Sequence, residues 1–453
     1  MANEQSKIEC NAIIAQYTNK RKSLGYLTVS QTPQLKILIM KESLKQLFAL
    51  KQMFASRQPL LCRTKVSKKI STSKPFLKKS SYICNGVAPE HLLHTAIDYN
   101  NFTNMSSEKK PYNPSDVGCS NGNYFGMPFT PEESELVLVS VPWGVTASYG
   151  GGQSYGPDAI IGASVQLDFY DPVSPNQWQR GIATAPIDYS IQDSDALLRH
   201  DAERVIKYLE EGGTIFDQSM VSTRRSRVNM GSAELNCKVK EQTAAWLDKG
   251  KMVGLVGGDH STPLGYIEAL AERHESFGVL HIDAHADLRK WYEGFRYSHA
   301  SIMYNVMESV AAVTKLVQVG LRDYCDEEVE YAASLGGRVV QFDDYLLAAE
   351  RFEGTTWAEQ CRRIVAELPE KVYVSFDIDG LAADLCPGTG TPVAGGLTFH
   401  QAVYLLDEVT KSGRKIIGFD LVEVAPSDKE SEWDANVGAR MLFKLCGLTL
   451  KSN

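Results

Sequence analysis

The chain has 453 residues, 43% hydrophobic and 23% charged, with no apolar run of 18 residues; this is the composition of a soluble globular enzyme, and no membrane span is expected. Its formal net charge of −8 is unevenly spread: residues 1–110 hold 18 Lys and Arg against 6 Asp and Glu, the rest 29 against 49. Nine cysteines with no Cys-x-x-Cys pair predict free thiols in a reducing compartment, the cytoplasm, rather than a disulfide framework.

Residues 1–110 show no sustained strand pattern. Leu, Ile and Met recurring among lysines allow a helix over 34–55, and 57–81 is rich in Lys, Ser and Thr with no acidic residue. This stretch reads as a basic disordered extension. Two readings stay open: a transit peptide to a mitochondrion or plastid, or a start assigned upstream of the true one, Met105. A nucleic-acid-binding arm is not expected, because aromatic residues scarcely interleave the lysines of 65–79.

From residue 111 to 453 the pattern is regular and reads as one catalytic domain. Apolar runs of strand length occur at 136–141, 252–256, 278–282, 316–319, 338–342, 372–376 and 416–422. Helical candidates lie between them at 202–211, 235–248, 263–272, 301–313, 326–335, 357–368, 399–411 and 437–446. Alternating strands and helices predict a three-layer α/β/α fold with a mainly parallel central sheet. Ligands in such folds bind at the carboxyl ends of the strands.

Three acidic strings sit at those ends: Gly257-Gly258-Asp259-His260, Asp283-Ala284-His285-Ala286-Asp287 and Asp377-Ile378-Asp379. On an extended backbone residues i, i+2 and i+4 share a face, so Asp283, His285 and Asp287 can converge, as can Asp377 and Asp379. Four carboxylates cannot stay buried and ionised together unless cations neutralise them. Oxygen ligands with a minority of imidazoles suit Mn²⁺ or another first-row divalent ion. Two such ions about 3.5–4 Å apart can lower the pKa of a bound water towards neutrality. His281 shares a face with Asp283 and is a candidate to support it.

The three strings, with the run Pro387-Gly388-Thr389-Gly390-Thr391-Pro392 and Gly395-Gly396-Leu397-Thr398, resemble the signatures of the ureohydrolases, the arginase and agmatinase family. The resemblance covers about residues 136–448. It implies an arginase-like fold and a hydrolase releasing urea from a guanidino compound. It implies two divalent ions per chain, Mn²⁺ or alternatively Ni²⁺. One ion would be held by His260, Asp283, Asp287 and Asp377, the other by Asp283, His285, Asp377 and Asp379. Glu423, in Glu423-Val424-Ala425-Pro426, would pair with the guanidinium, and His299 would shuttle protons or orient the substrate. The partners implied are a small guanidino substrate and further copies of the chain, as a trimer or hexamer, with no nucleic acid and no membrane.

A guanidinium pairs bidentately with a carboxylate, and its leaving amine needs a proton, so the implied roles are chemically sound. One departure stands out: Ala382-Ala383 occupy the positions of the family's Asp-Pro, which is expected to loosen the loop that holds Asp379. Trp291, Tyr292, Phe295 and Tyr297 are expected at the pocket mouth, with 142–146 and 149–152 supplying another wall. These features resemble the agmatinase branch, and the ending Trp433-Asp434-Ala435-Asn436-Val437-Gly438-Ala439-Arg440 resembles its subgroup that includes free-guanidine hydrolases. The alternatives are a guanidinobutyrase, an arginase, or a catalytically silent metal-binding relative.

Overall fold

The computed structural model describes residues 112–215, 220–426 and 432–453, with the side chain of Met220 excepted. The expected basic extension over 1–110 lies outside the described residues. Eight strands form one sheet: β1 (Leu136–Val141), β2 (Ile182–Thr184), β3 (Met252–Gly257), β4 (Phe277–Ile282), β5 (Val313–Leu321), β6 (Val339–Asp343), β7 (Lys371–Asp377) and β8 (Lys415–Val422). Their order is β2-β1-β3-β8-β7-β4-β5-β6, and every pairing among them is parallel.

The helices are α1 (Gly156–Ser164), α2 (Ser190–Glu210), α3 (Met220–Leu247), α4 (Leu264–Ala271), α5 (Ile302–Ser309), α6 (Asp326–Ser334), α7 (Asp344–Phe352), α8 (Trp357–Ala366), α9 (Phe399–Lys411) and α10 (Trp433–Ser452). Strand side chains alternate between two apolar layers. Leu136 and Leu138 join Val374, Phe376, Phe419 and Leu421 in one core, closed by α8, α9 and α10. Val137 and Val139 join Val253, Leu255, Val279 and Tyr373 in the other, closed by α2, α3, α4 and α5. Burial on both faces is why the strands read as continuous apolar runs. The expected three-layer fold is present.

Helix starts follow local chemistry. Thr356 caps α8 by accepting from the Glu359 N–H while Glu359 reaches back, and Thr398 with Gln401 does the same for α9. The differences from the sequence reading have physical causes. α2 and α3 begin 12 and 15 residues before 202 and 235, through polar sequence whose helicity the packing of the two helices sustains. α1 opens with Gly-Pro, which reads as a turn but also suits a first helical turn. α7 begins directly after β6, with the Asp343 side chain accepting from the Leu346 N–H. β2 has three residues, too few for a periodic signal.

Candidate metal centre and active site

Sheet order, rather than chain order, assembles the site. β3, β8, β7 and β4 are consecutive neighbours, and their carboxyl ends carry His260, Glu423, the Asp377–Asp379 turn and the Asp283–Asp287 segment. The convergence is not that of one extended strand, as the alternation suggested. β4 stops at Ile282, the chain bends at Ala284, His285 pairs in parallel with Asp323, and Asp287 has φ of 55°, so the segment is not one regular strand. The Asp379 N–H donates to Asp377 Oδ1 at 2.8 Å, which folds residues 378–380 into a single turn. Asp379 Oδ1 then accepts from the Ala284 N–H at 3.0 Å, tying the β7 end to the β4 end.

His260 shows what this cluster is built to hold. Its Nδ1 lies 3.0 Å from Asp283 Oδ2 and 3.2 Å from both Asp287 Oδ2 and Asp377 Oδ2. Its Nε2 lies 2.9 Å from Ser375 Oγ, and that hydroxyl donates to Asp420 Oδ1 at 3.1 Å. The Ser375 oxygen therefore accepts the His260 Nε2 proton, which leaves Nδ1 of the neutral ring as a lone pair. A nitrogen lone pair and three carboxylate oxygens then face one point, an arrangement that fits a cation and little else. Nδ1 of His260 has no hydrogen-bond partner among the described residues, as a ligand atom would not.

A second group adjoins the first. His285 Nδ1 lies 3.1 Å from Asp379 Oδ2 and 3.3 Å from Asp283 Oδ1, so Asp283 faces both groups. His281 also approaches Asp283, Nε2 to Oδ2 at 2.8 Å, but as a donor. The Gln318 side-chain N–H donates to His281 Nδ1 at 2.9 Å, which places the ring proton on Nε2 and aims it at the carboxylate. Gln341 in turn donates to Gln318 Oε1 at 3.0 Å. His281 thus orients Asp283, and the structure brings together all six candidate ligands named from the sequence.

The charges are strongly coupled. Burial raises the Asp377 carboxyl well above its usual range, and the Asp379 and Asp283 charges add to this. With no cation in the cluster His260 is raised despite burial, by its contacts with Asp283, Asp287 and Asp377, and a cation would bind there by displacing the Nδ1 proton. Asp283 goes the other way: burial opposes ionisation, but His281, His260 and His285 hold it well below the usual range.

Glu423 and His299 flank the cluster. Glu423 follows β8 with φ of 62°; its Oε1 accepts from the His260 N–H at 2.8 Å, and its own N–H donates to Gly258 O at 2.7 Å. Burial pushes its carboxyl up to about 8, with the Asp259 charge adding. His299 is held through its N–H, which donates to Thr146 Oγ1 at 3.1 Å; Thr146 in turn donates to Asp259 Oδ2 at 3.0 Å. Its ring Nε2 lies 3.4 Å from Ser148 Oγ, and burial lowers its pKa against the pull of Asp259 and Asp287. A cavity of about 160 Å³ opens over the cluster, lined by His285, Asp287 and His299 with Ser148, Tyr149, Tyr292 and Thr391.

Residues 134–447 match the model of the Arginase family. The chain belongs to the arginase family. It is 31% identical over 326 residues to the N(1)-aminopropylagmatine ureohydrolase of Thermus thermophilus, covering 72% of this chain and 94% of that one. It is 28% identical over 297 residues to an agmatinase of Bacillus anthracis, covering 65% and 85%. Its fold is similar to that of the proclavaminate amidino hydrolase from Streptomyces clavuligerus, with a TM-score of 0.56, 23% identity, and 75% and 99% of the two chains covered. As a member of the arginase family the chain is a hydrolase of amidino carbon–nitrogen bonds.

Two expectations about the surroundings change. Of the four aromatic residues expected at the pocket mouth, Tyr292 alone lines this cavity among the described residues. Phe295 is fully buried in the core, and Trp291 and Tyr297 line a separate cavity of about 750 Å³. The segment turns at Glu293 and Gly294, with φ of 53° and 80°, and its aromatic side chains do not share one face. The loop after Asp379 is also better held than Ala382-Ala383 suggested. The Arg322 guanidinium donates to the carbonyls of Asp379 at 2.7 Å, Leu381 at 3.2 Å and Val393 at 3.0 Å. Gln318 and Arg322 were not identified from the sequence, and Ser375, which heads the third signature as Ser375-Phe376-Asp377-Ile378-Asp379, was given no role there. Each is a polar residue on an apolar strand or at its end, and that is the signal they offered.

Proposed function

We propose that this chain is a binuclear-metal ureohydrolase that cleaves a small guanidino compound to urea and an amine, agmatinase-like, or free guanidine to urea and ammonia. The observation that carries this reading is the His260 ring, whose Nε2 proton is committed to Ser375 while Nδ1 faces three carboxylate oxygens at 3.0–3.2 Å. His260, Asp283, Asp287 and Asp377 would hold one divalent ion and Asp283, His285, Asp377 and Asp379 the other, Mn²⁺ in the first instance and Ni²⁺ as the alternative. When bound, such ions supply the Lewis acidity that activates a water at neutral pH.

The chain's own residues supply the rest. Glu423 offers a buried carboxylate to the planar guanidinium, and the cationic partner would favour its ionised form. Water adds to the central carbon and gives up a proton, the carbon–nitrogen bond breaks, and the amine leaves with a proton that His299 would pass to it, taken from that water. The cavity walls support a substrate without a carboxylate. Asp323 and Glu328 line it, and its one Arg or Lys among the described residues, Arg289, lies 3.6 Å from Glu328. A cationic or neutral tail suits such a mouth better than the α-carboxylate of an amino acid. The names of the relatives from Thermus thermophilus and Bacillus anthracis agree with that preference.

The test is urea release from guanidine, agmatine, aminopropylagmatine, guanidinobutyrate and arginine, with protein loaded with Mn²⁺ or Ni²⁺. The reading expects release from guanidine or an amine-tailed compound, with arginine poorest. Release from none of them would overturn it.

A further inference from the structure

Gln153 is a buried amide with nothing to bond to. It is 1% exposed, and neither Oε1 nor Nε2 has a hydrogen-bond partner among the described residues. A buried side-chain amide left unpaired at both ends is costly, and native interiors rarely tolerate one without a ligand or an ordered water. It was not singled out in the sequence, where it follows three consecutive glycines, Gly150 to Gly152.

Its position ties it to Glu423. The segment that carries it packs on the residues immediately after Glu423. At Gly156 a side chain would collide with the Val424 carbonyl, and at Gly152 it would stand 3.6 Å from the Pro426 carbonyl. Gly390 lies against the same amide, in the run whose next residue, Thr391, lines the catalytic cavity. A Cβ on Gly390 would lie 2.5 Å from Gln153 Nε2 and 3.2 Å from Glu423 Oε2. The Gln153 amide and Glu423 Oε2 therefore both lie against position 390, where the chain carries no side chain. The other Glu423 oxygen, Oε1, is already occupied by the His260 N–H.

We propose that Gln153 is a substrate-recognition residue, its amide contacting the guanidino group beside Glu423. This rests on the guanidino-hydrolase reading given above. Glu423 can cover one edge of a guanidinium, which has N–H groups on every edge. With the amide turned so that Oε1 stands where Nε2 does, a half-turn that leaves its shape unchanged, Gln153 accepts from an N–H that Glu423 does not reach. After cleavage, its N–H can donate to the oxygen of the urea product. One side chain that both donates and accepts thus serves substrate and product in turn. Because the contact is made to the guanidino group, it does not depend on the substrate's tail.

The experiment compares Gln153→Met, which keeps length and removes the amide, and Gln153→Asn, which keeps the amide and shortens its reach. Both are measured beside wild type as metal-loaded, full-length protein. Folding and metal content are checked by thermal melting and elemental analysis. With the substrate that gives wild type its fastest urea release, and with a second one differing in its tail, the proposal expects kcat/KM to fall about tenfold or more in Gln153→Met. The fall should be the same for both substrates. Melting temperature should be unchanged or higher, since an unpaired buried amide has been removed. Gln153→Asn should also lose activity. Wild-type kcat/KM in Gln153→Met, with or without a higher melting temperature, would overturn the proposal and leave Gln153 as the host of a structural water. If Gln153→Met fails to fold, an unchanged kcat/KM in Gln153→Asn overturns it. Failure of wild type to release urea from any guanidino compound is a different result, and it removes the underlying reading instead.

Discussion

Ser375 decides what His260 can do, because its hydroxyl takes the ring proton that would otherwise be free to sit on Nδ1. Ser375→Ala should leave the fold intact and weaken divalent-metal affinity by roughly 10- to 100-fold, measured by competition with a chelator. Unchanged affinity would show that the tautomer needs no such control. Glu423→Gln keeps the shape of the side chain and removes its charge. It should lower kcat/KM by about 1.5–3 kcal/mol, or roughly ten- to a hundredfold and more, while metal content stays full. His299→Ala should lower kcat by about 10²-fold, also at full metal content. Near wild-type urea release in both variants would show that neither holds its assigned role. The six candidate ligands could be read from the sequence because each is an Asp or His beside an apolar run. The roles of Ser375, Gln318 and Gln153 could not, because a neutral polar residue carries no charge to be explained until its burial and partners are known.

At the scale of elements, the packing of α2 against the loop after β1 carries a titration of its own. Asp195 on α2 is buried and accepts from the Gly144 N–H at 2.6 Å. Burial pushes its carboxyl up to about 6, while the Gly144 N–H and Ser154 pull it down. A carboxyl raised in the folded state favours folding while it is protonated. That contribution is full below the unfolded value of about 4 and is lost as pH rises through 6. Asp195→Asn stays neutral and keeps an acceptor for Gly144. At pH 7 it should be more stable than wild type by about 1–3 kcal/mol, and the difference should vanish near pH 4 in thermal melts. A difference independent of pH would contradict this. The sequence showed most of the sheet because strands buried on both faces are apolar over most of their length. It did not show β2, α1 or α7, whose signals are a three-residue strand, a Gly-Pro start and a helix joined directly to its strand.

For the whole molecule, the sheet order β3-β8-β7-β4 turns residues far apart in the chain into one site, and no periodicity within a single element encodes that order. Strand alternation did reveal the fold class, and the motifs marked the ends that matter. Among the described residues no helix is long and apolar enough to cross a membrane. The family match begins at residue 134, so protein starting at Met105 should release urea as fast as the full chain. A loss of activity on that truncation would give residues 1–104 a part in the enzyme. The central claim is that two cations, held between the ends of β3, β4 and β7, carry the hydrolysis of a guanidino group. A titration of metal-stripped protein with Mn²⁺ or Ni²⁺, following urea release from the best substrate, tests it most directly. The account predicts that activity saturates at two equivalents per chain. Full activity at one equivalent, or activity without added metal, would contradict it.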